Sequence, residues 1–142
     1  MSSLNTSFSV NTRFFFDRPE VVKAVEKANR GNLSRCGAIT RKAAQRNIRR
    51  RKRPSKPGQG PTNQTGVLRQ SILFSYEPAT ETVVVGPSTR YGRGDNQAPS
   101  LLEGGGRARG GGYYAKRPFM APALESTQSR YPELWRDSVR GS

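Results

Sequence analysis

The sequence predicts an α+β fold: a long N-terminal helix and a C-terminal helix packed on a small antiparallel β-sheet, with long flexible loops. Three observations carry this. Apolar residues recur at helical spacing through residues 20–51. Two short runs, 71–76 and 82–86, alternate or are β-branched and flank a turn of five residues. A second helical stretch, 120–139, follows a glycine-rich connection.

Residues 1–16 are rich in Ser, Thr and Asn and read as a flexible arm or an edge strand. Phe14, Phe15 and Phe16 are too apolar to stay free, so they are expected to pack on a neighbouring subunit or on the domain. A single domain is expected over 17–142. Asp17 and Glu20 have capping-box spacing, and Pro19 is tolerated in a first turn. The helix that follows spans roughly 30 residues and about 45 Å. Val22, Val25, Leu33, Cys36 and Ala43 fall on one side, and Lys23, Lys27 and Arg41 opposite. Gly31 and Gly37 are expected to weaken or kink it.

Residues 54–64, "PSKPGQGPTNQ", read as a mobile loop. Thr65 can cap a short helical turn that points Val67 and Leu68 inward. "SILFSY" and "TVVVG" form a hairpin around "EPATE", and 88–100 are polar and irregular. "YYAKRPF" (113–119) reads as an edge strand ending at Pro118. In the last helix Leu124, Tyr131, Trp135 and Val139 form a stripe that Pro132 kinks or divides.

Composition narrows the function classes. The chain of 142 residues is 32% hydrophobic and carries a formal charge of +15, which favours an acidic partner. With one cysteine no intrachain disulfide forms, and Cys36 reads as a small core residue. Histidine, the commonest general base and metal ligand, is missing. No stretch reaches the roughly 20 apolar residues of a membrane span, and the N-terminus lacks a signal-peptide pattern. These features point to a chain kept in a cytosol. The ten carboxylates are scattered, so no catalytic, cofactor or metal residue is assigned. Glu103, set among apolar residues and glycines, reads as a structural carboxylate that accepts backbone N–H groups or an arginine.

Two features remain. Nine cations, Arg41, Lys42, Arg46, Arg49, Arg50, Arg51, Lys52, Arg53 and Lys56, lie in one run without an acid or an aromatic residue. A helix C-terminus favours cations only in its last turn, so the dipole does not account for nine. Such a run acts through charge, either on phosphate or on an acidic protein, and not by base stacking. "EGGGRARGGGYYAKRPF" (103–119) has the composition of an RNA-binding Arg-Gly box. Its place between two ordered elements favours a long, deformable loop instead.

Several pieces in order resemble the neck, or tail-completion, proteins of long-tailed bacteriophages, also described as minor tail components. They are "TGVLRQSI", "VVVGPSTRYG", "LLEGG" and "RPFMAPALEST", following a long basic helix. The family pattern maps onto Thr65, Gly66, Leu68 and Arg69; Val85 and Gly86; Tyr91; Glu103 and Gly105; and Arg117, Pro118 and Phe119. The segment 92–100, the glycine loop 104–112 and the N-terminal arm depart from that pattern.

The resemblance implies a virion protein at the head–tail junction, assembled in the bacterial host cytoplasm and not an enzyme. It implies a ring, a hexamer by analogy with the six-fold tail, around the DNA channel. Its partners would be head-closure or connector proteins on one side and tail-terminator or tail-tube proteins on the other. Phe14–Phe16, Arg107 and Arg109 are then expected at subunit contacts, with Arg69 paired to Glu103 within or between subunits. The basic run would meet an acidic neighbouring ring or make non-specific contact with DNA in the channel. Of these the protein is preferred, because a tightly held genome must still slide out. A ribosome-type RNA-binding protein and a head-closure or tail-terminator ring subunit are the rival readings.

Overall fold

The computed structural model describes residues 18–63, 65–88 and 98–139. The arm, including Phe14–Phe16, and Tyr91 lie outside the described residues. The fold is α+β, as the sequence predicts. Helix α1 spans Arg18–Asn47, α2 Val67–Ser71, strand β1 Ile72–Glu77, β2 Thr82–Pro87 and α3 Ala98–Gly104. Then come β3 Gly106–Arg107, β4 Tyr113–Tyr114, α4 Met120–Thr127, a 3-10 turn Gln128–Arg130 and α5 Tyr131–Trp135.

Strands β1 and β2 pair antiparallel, with Ile72 opposite Pro87, Phe74 opposite Val85 and Tyr76 opposite Val83. The strand period of two puts these residues on one face, and α1 crosses it. The core is small and lies at the C-terminal end of α1: Ala44, Ile48, Leu68, Ile72, Phe119 and Ala123, with Ala43, Val85, Leu102 and Met120 packed around them.

The buried stripe of α1 differs from the expected one. It runs through Asn32, Cys36, Thr40 and Ala44, with Gly37 beside it. These residues recur every four positions, which keeps them on one face. Val22 and Val25 are exposed and Leu33 is half-buried. The stripe is made of small and polar residues because the hairpin and the last helices approach closely there. Burial pushes the Cys36 thiol up from its ordinary pKa, as suits a structural cysteine. Thr40 donates to Cys36 O at 2.8 Å, and the Tyr131 hydroxyl lies between Thr40 and Thr127, joining α1 to the C-terminal helices.

Helix α1 is continuous through Gly37. A β-carbon there would stand 2.7 Å from Phe74 Cδ2 and 2.8 Å from Val83 Cγ2. The glycine is where the helix meets the hairpin. At Gly31 nothing lies within 4 Å of such an atom. The two positions therefore predict opposite signs. Gly31→Ala should stabilise by about 0.5–1 kcal/mol through helix propensity. Gly37→Ala gains the same propensity but meets overpacking of about 1–3 kcal/mol, so a net loss is expected. Thermal unfolding of the two variants checks this, and equal shifts would remove Gly37 from the interface.

The C-terminal stripe is also displaced. Ala123 and Thr127 are buried, whereas Leu124, Trp135 and Val139 are exposed, although Trp135 Nε1 still donates to Asn29 Oδ1 at 2.8 Å. The helix is divided, with Pro132 in the first turn of α5. "YYAKRPF" contributes only the two residues of β4, which pair with β3 across the glycine stretch. Residues 98–100, expected to be irregular, open α3. Of Val67 and Leu68 only the latter is buried.

Candidate functional site

Helix α1 stops at Asn47, before most of the basic run. The chain then turns back on itself instead of hanging free. Arg49 N–H donates to Pro61 O at 3.0 Å and Asn63 N–H to Arg49 O at 2.9 Å, closing a loop over 49–63. Gly58 N–H donates to Lys116 O at 2.8 Å, and Arg117 Nε to Ser55 O at 3.0 Å. Thr62 Oγ1 donates to Arg53 O at 3.1 Å. The segment expected to be mobile is thus pinned to itself and to residues 116–117. This loop, the end of α1 and the start of α4 border an open cavity of about 550 Å3, lined by Arg46, Arg49, Arg51, Arg53 and Lys56 together with Pro118 and Pro122.

The basic run is not one surface. Arg50 lines a different, smaller cavity of about 240 Å3, with Arg69. Lys42 and Lys52 are exposed and line neither cavity. Arg41, expected to face outward with the other cations, is half-buried and donates through Nε to Ile72 O at 2.7 Å. This bond joins α1 to the start of the hairpin.

The family-like motifs converge beside this loop. Glu103, at the end of α3, accepts at Oε2 from the N–H groups of Phe119 (2.9 Å) and Met120 (3.0 Å), and at Oε1 from Ala121 N–H (2.8 Å). A carboxylate here satisfies three of the donors that begin α4 and complements its dipole. Within the chain Glu103 does not pair with Arg69. Its oxygens are taken up by backbone, and Arg69 is exposed, its carbonyl accepting from Gln45 Nε2 at 3.1 Å. Gly105, at φ +69°, turns the chain after α3, with its N–H donating to Leu101 O at 2.7 Å. Arg117 N–H donates to Leu102 O at 2.7 Å, Pro118 follows, and Phe119 is buried in the core.

The Thr65–Gly66 turn is organised by a residue outside the motif. Buried Asn63 accepts through Oδ1 from Thr65 N–H (2.9 Å), Thr65 Oγ1 (3.1 Å) and Gly66 N–H (2.8 Å). The local signal was present, since Asn two residues before a Thr-Gly pair suits an Asx-turn. Gly66 takes φ +79° and leads into buried Leu68. Val85 is packed against the core and Gly86 is half-buried beside it in β2. Asn47, also unremarked in the sequence, donates through Nδ2 to Phe119 O at 3.0 Å.

Arg107 and Arg109 are exposed on the small hairpin, where Arg107 is opposite Tyr113. That hairpin closes through Ala108 N–H to Gly112 O at 2.8 Å, so the glycine stretch is ordered and not a free tail. No helix among the described residues is long and apolar enough to cross a membrane. Among them, no group of three or more His, Cys, Asp or Glu side chains could hold a metal. No protein-family model, curated protein or solved structure matches the chain.

Proposed function

We propose that the chain is a structural subunit of the neck at the head–tail junction of a long-tailed bacteriophage, of the tail-completion type. It would form a ring, most simply a hexamer, around the DNA channel. Head-closure or connector proteins would lie on one side and tail-terminator or tail-tube proteins on the other. The observation that carries the reading is the junction at Glu103. The Glu-x-Gly and Arg-Pro-Phe motifs lie on either side of the glycine stretch, and here they form one cap. The Thr-Gly-x-Leu-Arg and Val-Gly motifs supply Leu68 and Val85 to the same core. Residues that resemble a family pattern only in order along the chain thus act together.

The surface fits a subunit role. Val21, Val22 and Val25 near the start of α1, Leu73 and Val84 on the outer face of the hairpin, and Val139 near the end are exposed. Large apolar side chains left outside are what an assembling subunit buries against its neighbours. The reading assigns no catalytic role to the chain, and its place is the virion.

The test is complementation. Particles made without this protein should be DNA-filled heads lacking tails in electron micrographs, and adding the purified protein should restore tails. Normal tails on particles lacking it would end the proposal. A head-closure or tail-terminator subunit shares the ring and the location. Labelling the protein in intact virions separates these roles by its position along the neck. A second reading draws on one observation: Tyr113 is 80% exposed and opposite Arg107, a pairing suited to stacking on RNA bases. It predicts RNA that co-purifies and is removed by nuclease, with Tyr113→Ala lowering the amount recovered.

A further inference from the structure

The charged side chains of the loop after α1 are exposed hydrogen-bond donors without an acid among them. Five of its carbonyls are engaged within the chain: Arg49 O by Asn63 N–H, Arg53 O by Thr62 Oγ1, Ser55 O by Arg117 Nε, Lys56 O by Gln59 N–H and Pro61 O by Arg49 N–H. Arg46, Arg49, Arg51, Arg53 and Lys56 line the cavity, and among the described residues no carboxylate or aromatic residue does. Guanidinium and ammonium groups donate and cannot accept. The Ser55 hydroxyl, also on the wall, is buried without a partner.

This asymmetry separates two classes of acidic ligand. An acidic peptide brings carboxylates, but also one backbone N–H per residue that needs an acceptor once out of water. Five of the loop's carbonyls are already engaged within the chain, and its charged side chains cannot accept. The phosphodiester backbone of DNA brings phosphate oxygens, which only accept, and arginine matches them bidentately. Without an aromatic side chain nothing here stacks on a base.

We propose that this cavity binds the phosphodiester backbone of DNA through charge and without base recognition. The sequence alone favours a protein partner, since a held genome must still slide. Contacts to phosphate alone meet that objection, because they carry no sequence register and allow a protein to move along DNA. The inference rests on the neck reading only for the source of the DNA, the genome in the channel.

The experiment uses the purified full chain and a fluorescent duplex of about 20 bp, titrated from 50 to 200 mM salt. Five phosphate contacts predict a slope of log affinity against log salt of about −4.5, a loss on the order of 500-fold across that range. Two unrelated duplex sequences should give the same curve. Replacing Arg49, Arg51 and Arg53 together by Gln should reduce the slope by about 2.7. The triple Lys variant, which keeps the charge, should retain it. Lys23→Gln with Lys27→Gln, toward the other end of α1, should change it by less than one unit.

An unchanged slope in the Gln variant, or a strong preference between duplexes, would overturn the proposal. So would a folded Lys variant that loses the slope, since charge would then not be the mechanism. Tighter binding of a poly-glutamate peptide than of the duplex would assign the cavity to an acidic protein instead. The neck role fails separately. DNA binding by a protein whose absence leaves particles normally tailed would remove the role and keep the site. Restored tails from a protein that does not bind DNA would do the reverse.

Discussion

Replacing Phe119 by alanine is expected to lower the unfolding free energy by about 3–5 kcal/mol. The ring is 1% exposed and is among the largest fully buried side chains. It packs with Ala44 and Ile48 at the end of α1, Leu68 and Ile72 from the α2–β1 segment and Ala123 of α4. Two of the six core residues are alanines, so little can move inward to fill the space, and the cavity should persist. Small domains are stable by only about 5–15 kcal/mol in total, so the expected loss is a large fraction. It should lower the midpoint by on the order of 10 °C or more. Leu124, on α4 and five residues after Phe119, is 49% exposed. Leu124→Ala should therefore shift stability by no more than about 0.5 kcal/mol. Comparable losses from the two substitutions would place the packed face of α4 wrongly.

That contrast also shows what the sequence could and could not disclose. The hairpin was legible because the alternation of Ile72, Phe74 and Tyr76 is a local property of the strand, and its burial follows it. Helix α1 was legible in extent because helical spacing persists through it, but its packed face was not. Reading apolarity selects Val22 and Val25. The fold instead buries Asn32, Gly37 and Thr40, since a close crossing needs small residues and can use a hydroxyl that bonds back to its own helix. The same bias picks Leu124 over Ala123 and Thr127. Glu103 was legible as a structural carboxylate, with backbone N–H groups and an arginine both open as its partners. Which N–H groups hold it was not, because its partners lie 16–18 residues away across the glycine stretch. The basic run was legible as charge. Its division between a five-cation cavity, a second cavity lined by Arg50 and an Arg41 bonded to the hairpin depends on where α1 stops and how the loop turns back. No periodicity encodes that.

Glu103→Ala is expected to cost about 1–3 kcal/mol, the second large effect. It removes the acceptor of three backbone N–H groups at once and a negative charge from the start of an eight-residue helix. Because Phe119 sits at that cap, the loss should also loosen the ring's seat. Amide exchange at residues 119–121 should rise more than elsewhere in the chain. Glu103→Gln keeps one acceptor oxygen but turns an NH2 group toward backbone donors, so its loss should fall between wild type and Ala. A uniform rise in exchange, or an unchanged midpoint in the Ala variant, would show that the helix does not depend on this carboxylate. The same geometry bears on Arg69. If the oxygens of Glu103 remain on backbone amides in the assembled ring, Arg69→Gln and Glu103→Ala should act independently on both stability and ring formation. Their effects should then add to within about 0.5 kcal/mol. A coupling well above that, appearing only in the assembled ring, would mean that Arg69 of one subunit reaches Glu103 of the next and competes with the helix for it.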